Sequence, residues 1–336
     1  MIALRRAVLF VLALVLGVGV LPVGAQEGVL TVYSGRGESL IAPLIAQFTE
    51  ETGIQVQVLY GDTAALASQI LEEGANSPAD VFFGQDAGAL GALAKAGLLA
   101  TLPSDIVERV SEDAFKSPDN LWVGTSARAR VLIYNTELVS KEELPASILD
   151  LTNEQWRGRV GWSPTNASFQ SNITAMRLLL GEEATLAWLE GMVANETVAY
   201  SGNTGLVQAV INGEVAVGLT NHYYIYRFYA ENPNTPAALH YFPAGDAGAL
   251  INIAGAGILK TSDQPGLAQR FLLYLLGGSA QTYFAQRTFE YPLVASVPPS
   301  VDLLPLADIQ TPDLDLSDLD DLQATLDLIE QSGALD

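Results

Sequence analysis

Along most of this chain, short runs rich in β-branched residues alternate with stretches in which apolar residues return every three or four positions. Residues 29–33 form the first such run, and 40–51 carry the helical period up to Gly53. Residues 54–60 alternate apolar and polar positions as a half-buried strand does, and 64–73 return to the helical period. A third run at 80–83 precedes Gly-Gln-Asp and a helical stretch at 87–96. This β-α-β-α-β-α order predicts a parallel sheet covered by helices on both faces. A second series follows Ser126, with strands expected at 131–134, 159–162, 197–200 and 215–220, and helices at 173–180, 185–194 and 206–212. No fixed-period repeat links the two series, so they predict two α/β lobes. Residues 302–320 are acidic and low in complexity, and are expected to form an ordered but irregular connection to a last helix at 321–332.

Ligands of open α/β sheets bind beyond the carboxyl ends of the strands, where helix N-termini present free N–H groups to anions. Five turns share that setting: SGRGES at 34–39, GQDAG at 84–88, SPTNASF at 163–169, SGNTG at 201–205 and TNHYY at 220–224. Each one alone reads most simply as a helix cap. Spread over two lobes, they suit a ligand clasped in a cleft between them.

Composition narrows the setting. The first 25 residues carry Arg5 and Arg6, then an apolar stretch over 7–21, then Val23-Gly24-Ala25 before Gln26, the pattern of a cleaved secretory signal. The alternative is an uncleaved N-terminus held in the membrane. About 310 residues remain, more than one core usually supports. Removing the segment takes away two arginines and no acid, which deepens the net charge from −22 to −24. So acidic a chain disfavours nucleic acid and anionic lipid as partners. Cysteine is absent, which rules out disulfides, thiolate catalysis and Cys-type zinc sites.

Two histidines, His222 and His240, are too few for a His-rich metal centre. No GxSxG or Walker A pattern occurs, and Leu40 stands where Gly35-x-Gly37 would need a third glycine to begin a dinucleotide fingerprint. Tyr223 and Tyr224 are the candidate chemistry. Both reach one ion only where the backbone turns into a helix, since helical neighbours lie ~100° apart. Asn221 is expected to cap that helix. A phenol is a poor ligand while protonated, but a trivalent metal displaces its proton, and hard oxygen donors favour ferric iron over zinc or copper. The competing reading is an aromatic cluster, since Tyr226, Phe228 and Tyr229 follow. Arg36, the only basic residue between Gln26 and Lys95, is expected to clamp an anion at a helix N-terminus; a solvent-facing loop arginine is its plain alternative. Arg128 and Arg130 flank the expected crossing between lobes.

These residues carry a resemblance. LTVYSGRGE, FTEETGIQV, SPADVFFGQD, AGLLA, SARARVLIYN, RGRVGWSPTNASF, NGEVAVGLTNHYYIYR, GALINIAGAGILK and EYPLV resemble the periplasmic ferric-ion-binding proteins, the substrate-binding components of iron(III) ABC importers. The resemblance spans nearly the whole chain beyond residue 25. It implies two doubly wound α/β lobes joined by a hinge, a type II periplasmic-binding fold. The first lobe is expected to hold 26–129 and 254–304, the second 130–253 and 305–336. It also implies that Tyr223 and Tyr224 ligate Fe3+ with a synergistic anion, carbonate or phosphate. The anion would be held by Asn166, Ala167, Ser168, Asn203 and Asn221, together with Arg36 and Arg128 or Arg130. Ser34, Gly35, Gly37, Glu38, Gln85 and Asp86 are further cleft residues. Gly37 stands where many members have histidine, Gln85 where many have glutamate, and Ser168 and Phe169 where others have a third tyrosine. Two protein ligands are thus carried over, and anion oxygens, water, Glu38 or Asp86 would fill the remaining iron positions. An extracytoplasmic, monomeric, non-enzymatic carrier serving an inner-membrane permease is expected. The alternatives are the same fold binding a metal-free anion, such as an organophosphonate, sulfate or a carboxylate, and a secreted hydrolase, for which no motif speaks.

Overall fold

A computed structural model describes residues 28–301, 303–309 and 311–335. The expected signal segment at 1–25 lies outside them. β1 (Leu30–Ser34), α1 (Glu38–Thr52), β2 (Val56–Tyr60), α2 (Thr63–Glu73), β3 (Val81–Gly84) and α3 (Ala87–Lys95) follow the predicted alternation. Local chemistry sets their ends. Asp62 caps α2 by accepting from the N–H of Ala64 at 2.9 Å, Asp86 caps α3 through Ala89, and Gly53 closes α1 at a left-handed φ of 76°.

A single turn, α4 (Ser104–Val107), leads toward β4 (Val123–Asn135), which is far longer than the predicted 131–134. Its first half reads as a polar segment, yet Ser126, Arg128 and Arg130 alternate with Ala127, Ala129 and Val131. The period of two is intact, and both faces are buried. The second series is β5 (Val160–Trp162), α5 (Ala167–Leu180), α6 (Glu182–Ala194), β6 (Val198–Ala199), α7 (Asn203–Asn212), β7 (Val217–Asn221), α8 (Tyr224–Glu231) and β8 (Ala237–His240). The chain returns through β9 (Ile251–Ile258), α9 (Pro265–Leu275), α10 (Gly278–Tyr283) and β10 (Tyr291–Pro292) to a last helix, α11 (Leu322–Gln331).

The strand order is β2-β1-β3-β9-β4-β7-β5-β6, with β8 and β10 also on β4. β2-β1-β3 and β7-β5-β6 are parallel groups, but β9 runs antiparallel to β3 and β4, and β7 antiparallel to β4. The expected parallel sheet is therefore mixed: β9 re-enters from the opposite lobe and must run the other way. β4 belongs to both groups and carries the chain between two cores.

One core gathers residues from Leu30 to Val131 and from Leu250 to Leu319, with Ala175 of α5; a second begins at Leu132, includes Ala249, and takes Leu328 and Ile329 from α11; a third, smaller cluster joins Ile133 to Leu206, Val210 and Ile225 on the other side of the second series. Along β4 and into β9, the packing passes from the first cluster to the second at 131/132 and back at 249/250. The segment 305–319, expected in the second lobe, packs on the first through Ile309, Leu316 and Leu319. Gly88 and Gly91 let it approach: an added Cβ would lie 2.2 Å from the carbonyl oxygens of Leu319 and Ser317. Only at Asp321, which Arg177 of α5 holds at 2.9 Å, does the chain join the second lobe.

Candidate functional site

β7 ends at Asn221, His222 and Tyr223 make the turn, and Tyr224 opens α8. Asn221 does not cap this helix, because it is the last strand residue and its side chain faces β4. Its Oδ1 accepts from Arg130 Nη1 at 3.1 Å, and its Nδ2 reaches the Tyr223 hydroxyl at 3.5 Å. The two tyrosine rings stack at 4.5 Å between centroids with 28° between planes. Both are half-buried. The turn has brought adjacent side chains side by side, which the interior of a helix does not allow.

Facing them is the N-terminus of α5. Asn166 caps it, accepting from the N–H of Ser168 at 3.0 Å and its hydroxyl at 2.6 Å. Asn203, the first residue of α7, donates to Asn166 Oδ1 at 3.2 Å and to Ser168 Oγ at 3.3 Å. Arg130 Nη1 donates to Ser168 Oγ at 3.3 Å. The structure therefore gathers Asn166, Ser168, Asn203, Asn221, Arg130 and Tyr223 into one polar network, with Ala167 at the start of α5.

Arg128 and Arg130 share a face of β4. Both are buried, at 2% and 3% exposure. None of the three Arg128 guanidinium nitrogens has a hydrogen-bond partner among the described residues, nor do Nε and Nη2 of Arg130. Burial lowers both arginines, Arg130 to about 10, while the neighbouring phenols pull the other way. Unpaired buried donors of this kind are costly and point to an anion.

Arg36 is placed otherwise than expected. Its Nη1 donates to Glu290 Oε1 at 2.9 Å and its Nη2 to Oε2 at 2.8 Å, and the pair is buried. The guanidinium expected to clamp an anion is thus turned to a protein carboxylate, with Nε left unpaired among the described residues. Ser126 and Thr288 also donate to Glu290, at 2.9 and 3.0 Å. Burial would raise this carboxyl, but Arg36 outweighs it and holds it below the usual range.

The other first-lobe candidates are arranged around this pair. Ser34 donates to the Arg36 carbonyl, and Gly35 packs so tightly that an added Cβ would lie 2.0 Å from Thr63 Oγ1. Gly37 and Glu38 are exposed at the head of α1, where space around Gly37 is open. The Gln85 N–H binds Thr63 Oγ1 at 3.2 Å. Asp86 caps α3 and is raised by burial.

Three contributors carry no role in the sequence reading. Glu290 is one. Asn252 of β9 lies opposite Arg128, accepts from the N–H of Ala87 at 3.3 Å, and leaves its own buried Nδ2 unpaired. The signal was there: one amide in an otherwise apolar run. His222 is the third, fully buried and lowered to about 4 by burial.

Chemically, the site is two phenols beside two under-paired guanidiniums. Tyr223 is pushed up by burial and then by Tyr224, with Arg128 acting against them. The phenol therefore stays protonated until something stronger than solvent removes the proton. Among the described residues no cluster of three or more His, Cys, Asp or Glu side chains is placed to hold a metal. The phenol oxygens are the candidate protein donors for a cation here.

A model of the bacterial extracellular solute-binding proteins matches residues 43–310. The Fe(3+)-binding periplasmic protein of Serratia marcescens is 34% identical over 327 residues, 96% of this chain and 95% of that one. Iron-bound HitA from Pseudomonas aeruginosa superimposes with a TM-score of 0.84 at 36% identity, covering 91% of this chain and 99% of HitA. A Trichodesmium protein in complex with iron and citrate gives 0.74 at 31% identity, covering 91% and 99%.

Proposed function

Since the chain belongs to the bacterial extracellular solute-binding protein family, we propose that it captures ferric iron with an oxyanion between its lobes and delivers it to the permease of an ABC importer. The observation that carries this reading is the stacked pair Tyr223 and Tyr224 beside two buried guanidiniums, of which Arg128 has no hydrogen-bond partner for its side chain and Arg130 pairs only through Nη1 among the described residues. The iron-binding relatives support it. Fe3+ would displace the proton of each phenol to solvent and bind both oxygens, a choice of hard donors for a hard cation.

The charge count asks for an anion. Two phenolates cancel two of the three ferric charges, Arg128 and Arg130 add theirs, and Arg36 and Glu290 cancel each other. The remainder is positive, and a multiply charged oxyanion, carbonate or phosphate, offsets most or all of it. Arg128, Arg130, Ser168, Asn166, Asn203, Asn221 and the free N–H groups at Ala167 would seat it, with Asn252 donating from the first-lobe side. Arg36 has no direct contact in this scheme and fixes Glu290 instead. Anion oxygens, water, Asp86 or Glu38 complete the iron shell. Closure of the lobes excludes water and strengthens each of these interactions. The protein acts as a monomeric carrier outside the cytoplasm, exported through residues 1–25, and performs no chemistry on its cargo.

The test is to load purified protein with Fe3+ and carbonate. A phenolate-to-iron visible band and a raised melting temperature are expected. A colourless protein with unchanged melting would reject the proposal. The unpaired Arg128 nitrogens equally favour a metal-free oxyanion, and a melting shift with phosphate alone, without colour, would establish that second reading.

A further inference from the structure

A buried histidine beside two candidate ligands invites assignment as a third, and the geometry points elsewhere. His222 is fully buried. Its backbone N–H donates to the Ala129 carbonyl at 3.1 Å, and its ring Nδ1 accepts from the Ala129 N–H at 3.1 Å. Ala129 sits between Arg128 and Arg130 on the strand that joins the lobes. A backbone amide can only donate, so Nδ1 carries no proton and the neutral ring keeps its proton on Nε2. Nε2 then donates to the Phe289 carbonyl at 2.9 Å.

Phe289 holds a left-handed backbone, at φ 56°, immediately before Glu290. Such a conformation is costly without glycine and persists where surrounding contacts over-determine it. The imidazole supplies one of them. Its ring also meets Tyr223 edge-on, at 5.7 Å and 88°, and Tyr291 at 4.8 Å and 44°. Tyr291 belongs to the first core, whereas the turn bearing Tyr223 extends from a strand of the second. One ring therefore ties together the tyrosine turn, the joining strand and the first-lobe segment that holds Arg36.

We propose that His222 is a positioning residue for cargo capture: its neutral Nε2–H tautomer fixes the Tyr223 ring and registers the tyrosine turn against the other lobe. It does not ligate the metal, because both ring nitrogens are bonded to backbone. This inference rests on the ferric reading above. Outer partners that orient metal ligands typically cost 10–100-fold in affinity when removed, and His222 is expected to fall in that range.

Two measurements decide it. The chain has only two histidines, so nitrogen NMR of 15N-histidine-labelled protein resolves each ring, and His222→Gln assigns the signal. The Nε2–H tautomer is expected both in the free protein and after loading with diamagnetic Ga3+ and carbonate. An Nδ1–H tautomer, or a ring nitrogen bonded to gallium, overturns the proposal. Iron titrations of His222→Phe, His222→Asn and His222→Gln supply the second readout. His222→Phe loses both bonds and is expected to bind Fe3+ about 10–100-fold more weakly with a shifted visible band. His222→Asn keeps an acceptor for Ala129, His222→Gln keeps a donor for Phe289, and both are expected to lie between. Variants that melt earlier yet bind iron with wild-type affinity and colour would reduce His222 to a packing residue and overturn the proposal. A wild-type protein that never colours with iron would sink the ferric reading itself, and this proposal with it.

Discussion

Arg128 keeps its charge in a buried position, with no hydrogen-bond partner for its three guanidinium nitrogens among the described residues. A residue so arranged lowers the stability of the free protein and is retained for what it binds. Arg128→Met is therefore expected to leave the free protein as stable or more stable, by up to roughly 3 kcal/mol, while abolishing the anion dependence of iron binding. Urea unfolding and iron titration with and without carbonate measure the two effects. Glu290→Gln acts in the opposite sense: it strips the counter-charge from buried Arg36 and is expected to cost about 3 kcal/mol or more, measured by the same unfolding. His222 adds a pH dependence. Its folded value of about 4 lies below the ordinary ~6.5, so the unfolded chain takes up a proton the folded one refuses. Stability is expected to fall as pH drops from about 6.5 toward 4, by up to about 1.4 kcal/mol per pH unit, and this slope should be missing in His222→Asn. At this scale the sequence placed the tyrosine pair at a strand-to-helix turn, where the structure has it, but spacing left an aromatic cluster as a competing reading, and Asn166 stood only among several turns able to cap a helix. Arg36 was legible in place, but its pairing with Glu290 was not. Its partner Glu290 lies far along the chain, and no local pattern joins the two.

Helix starts and strand lengths follow the same division. α5 begins at Ala167 rather than at the predicted 173, because Asn166 caps it and the first turn, Ala-Ser-Phe-Gln, shows little apolar period. β4 was read at a fraction of its length, since a strand that buries arginines on one face breaks the expectation that buried means apolar. β8, β9, α9 and α10 carried no sequence assignment. β9 reads as a continuous apolar and glycine run, which periodicity cannot divide into strand or helix. Packing at the element scale gives its own test. Gly88 and Gly91 on α3 leave no room for a Cβ against the carbonyls of Leu319 and Ser317. Backbone cannot yield as a side-chain tip does, so Gly91→Ala is expected to cost about 1–3 kcal/mol through overpacking, read as a lowered melting temperature. Iron affinity should fall less than in the tyrosine variants, because α3 meets the site only at its other end, through Asp86 and Ala87.

Among the described residues, the first core and the two clusters of the second series are joined by β4, by the chain entering β9, and by the segment that leaves the first core at Leu319 for α11. Alternating patterns foretold two α/β lobes, but not the mixed sheet, which is set by the long-range return of the chain. Binding at this scale is coupled to protons. The Tyr223 phenol is protonated in the free protein, and each phenol must lose its proton to bind iron. Ferric affinity is expected to rise with pH, with up to two protons released per iron taken up, as counted in unbuffered solution. A pH-independent affinity would remove the phenols from the shell. Tyr223→Phe and Tyr224→Phe are each expected to weaken iron binding by more than about 100-fold, beyond the range typical of outer partners. The most direct measurement is diffraction at the iron edge from crystals of protein loaded with Fe3+ and carbonate. The expected result is one anomalous peak within bonding distance of both phenol oxygens, with the anion between it and Arg128. A peak elsewhere, or one touching neither tyrosine, would contradict the account.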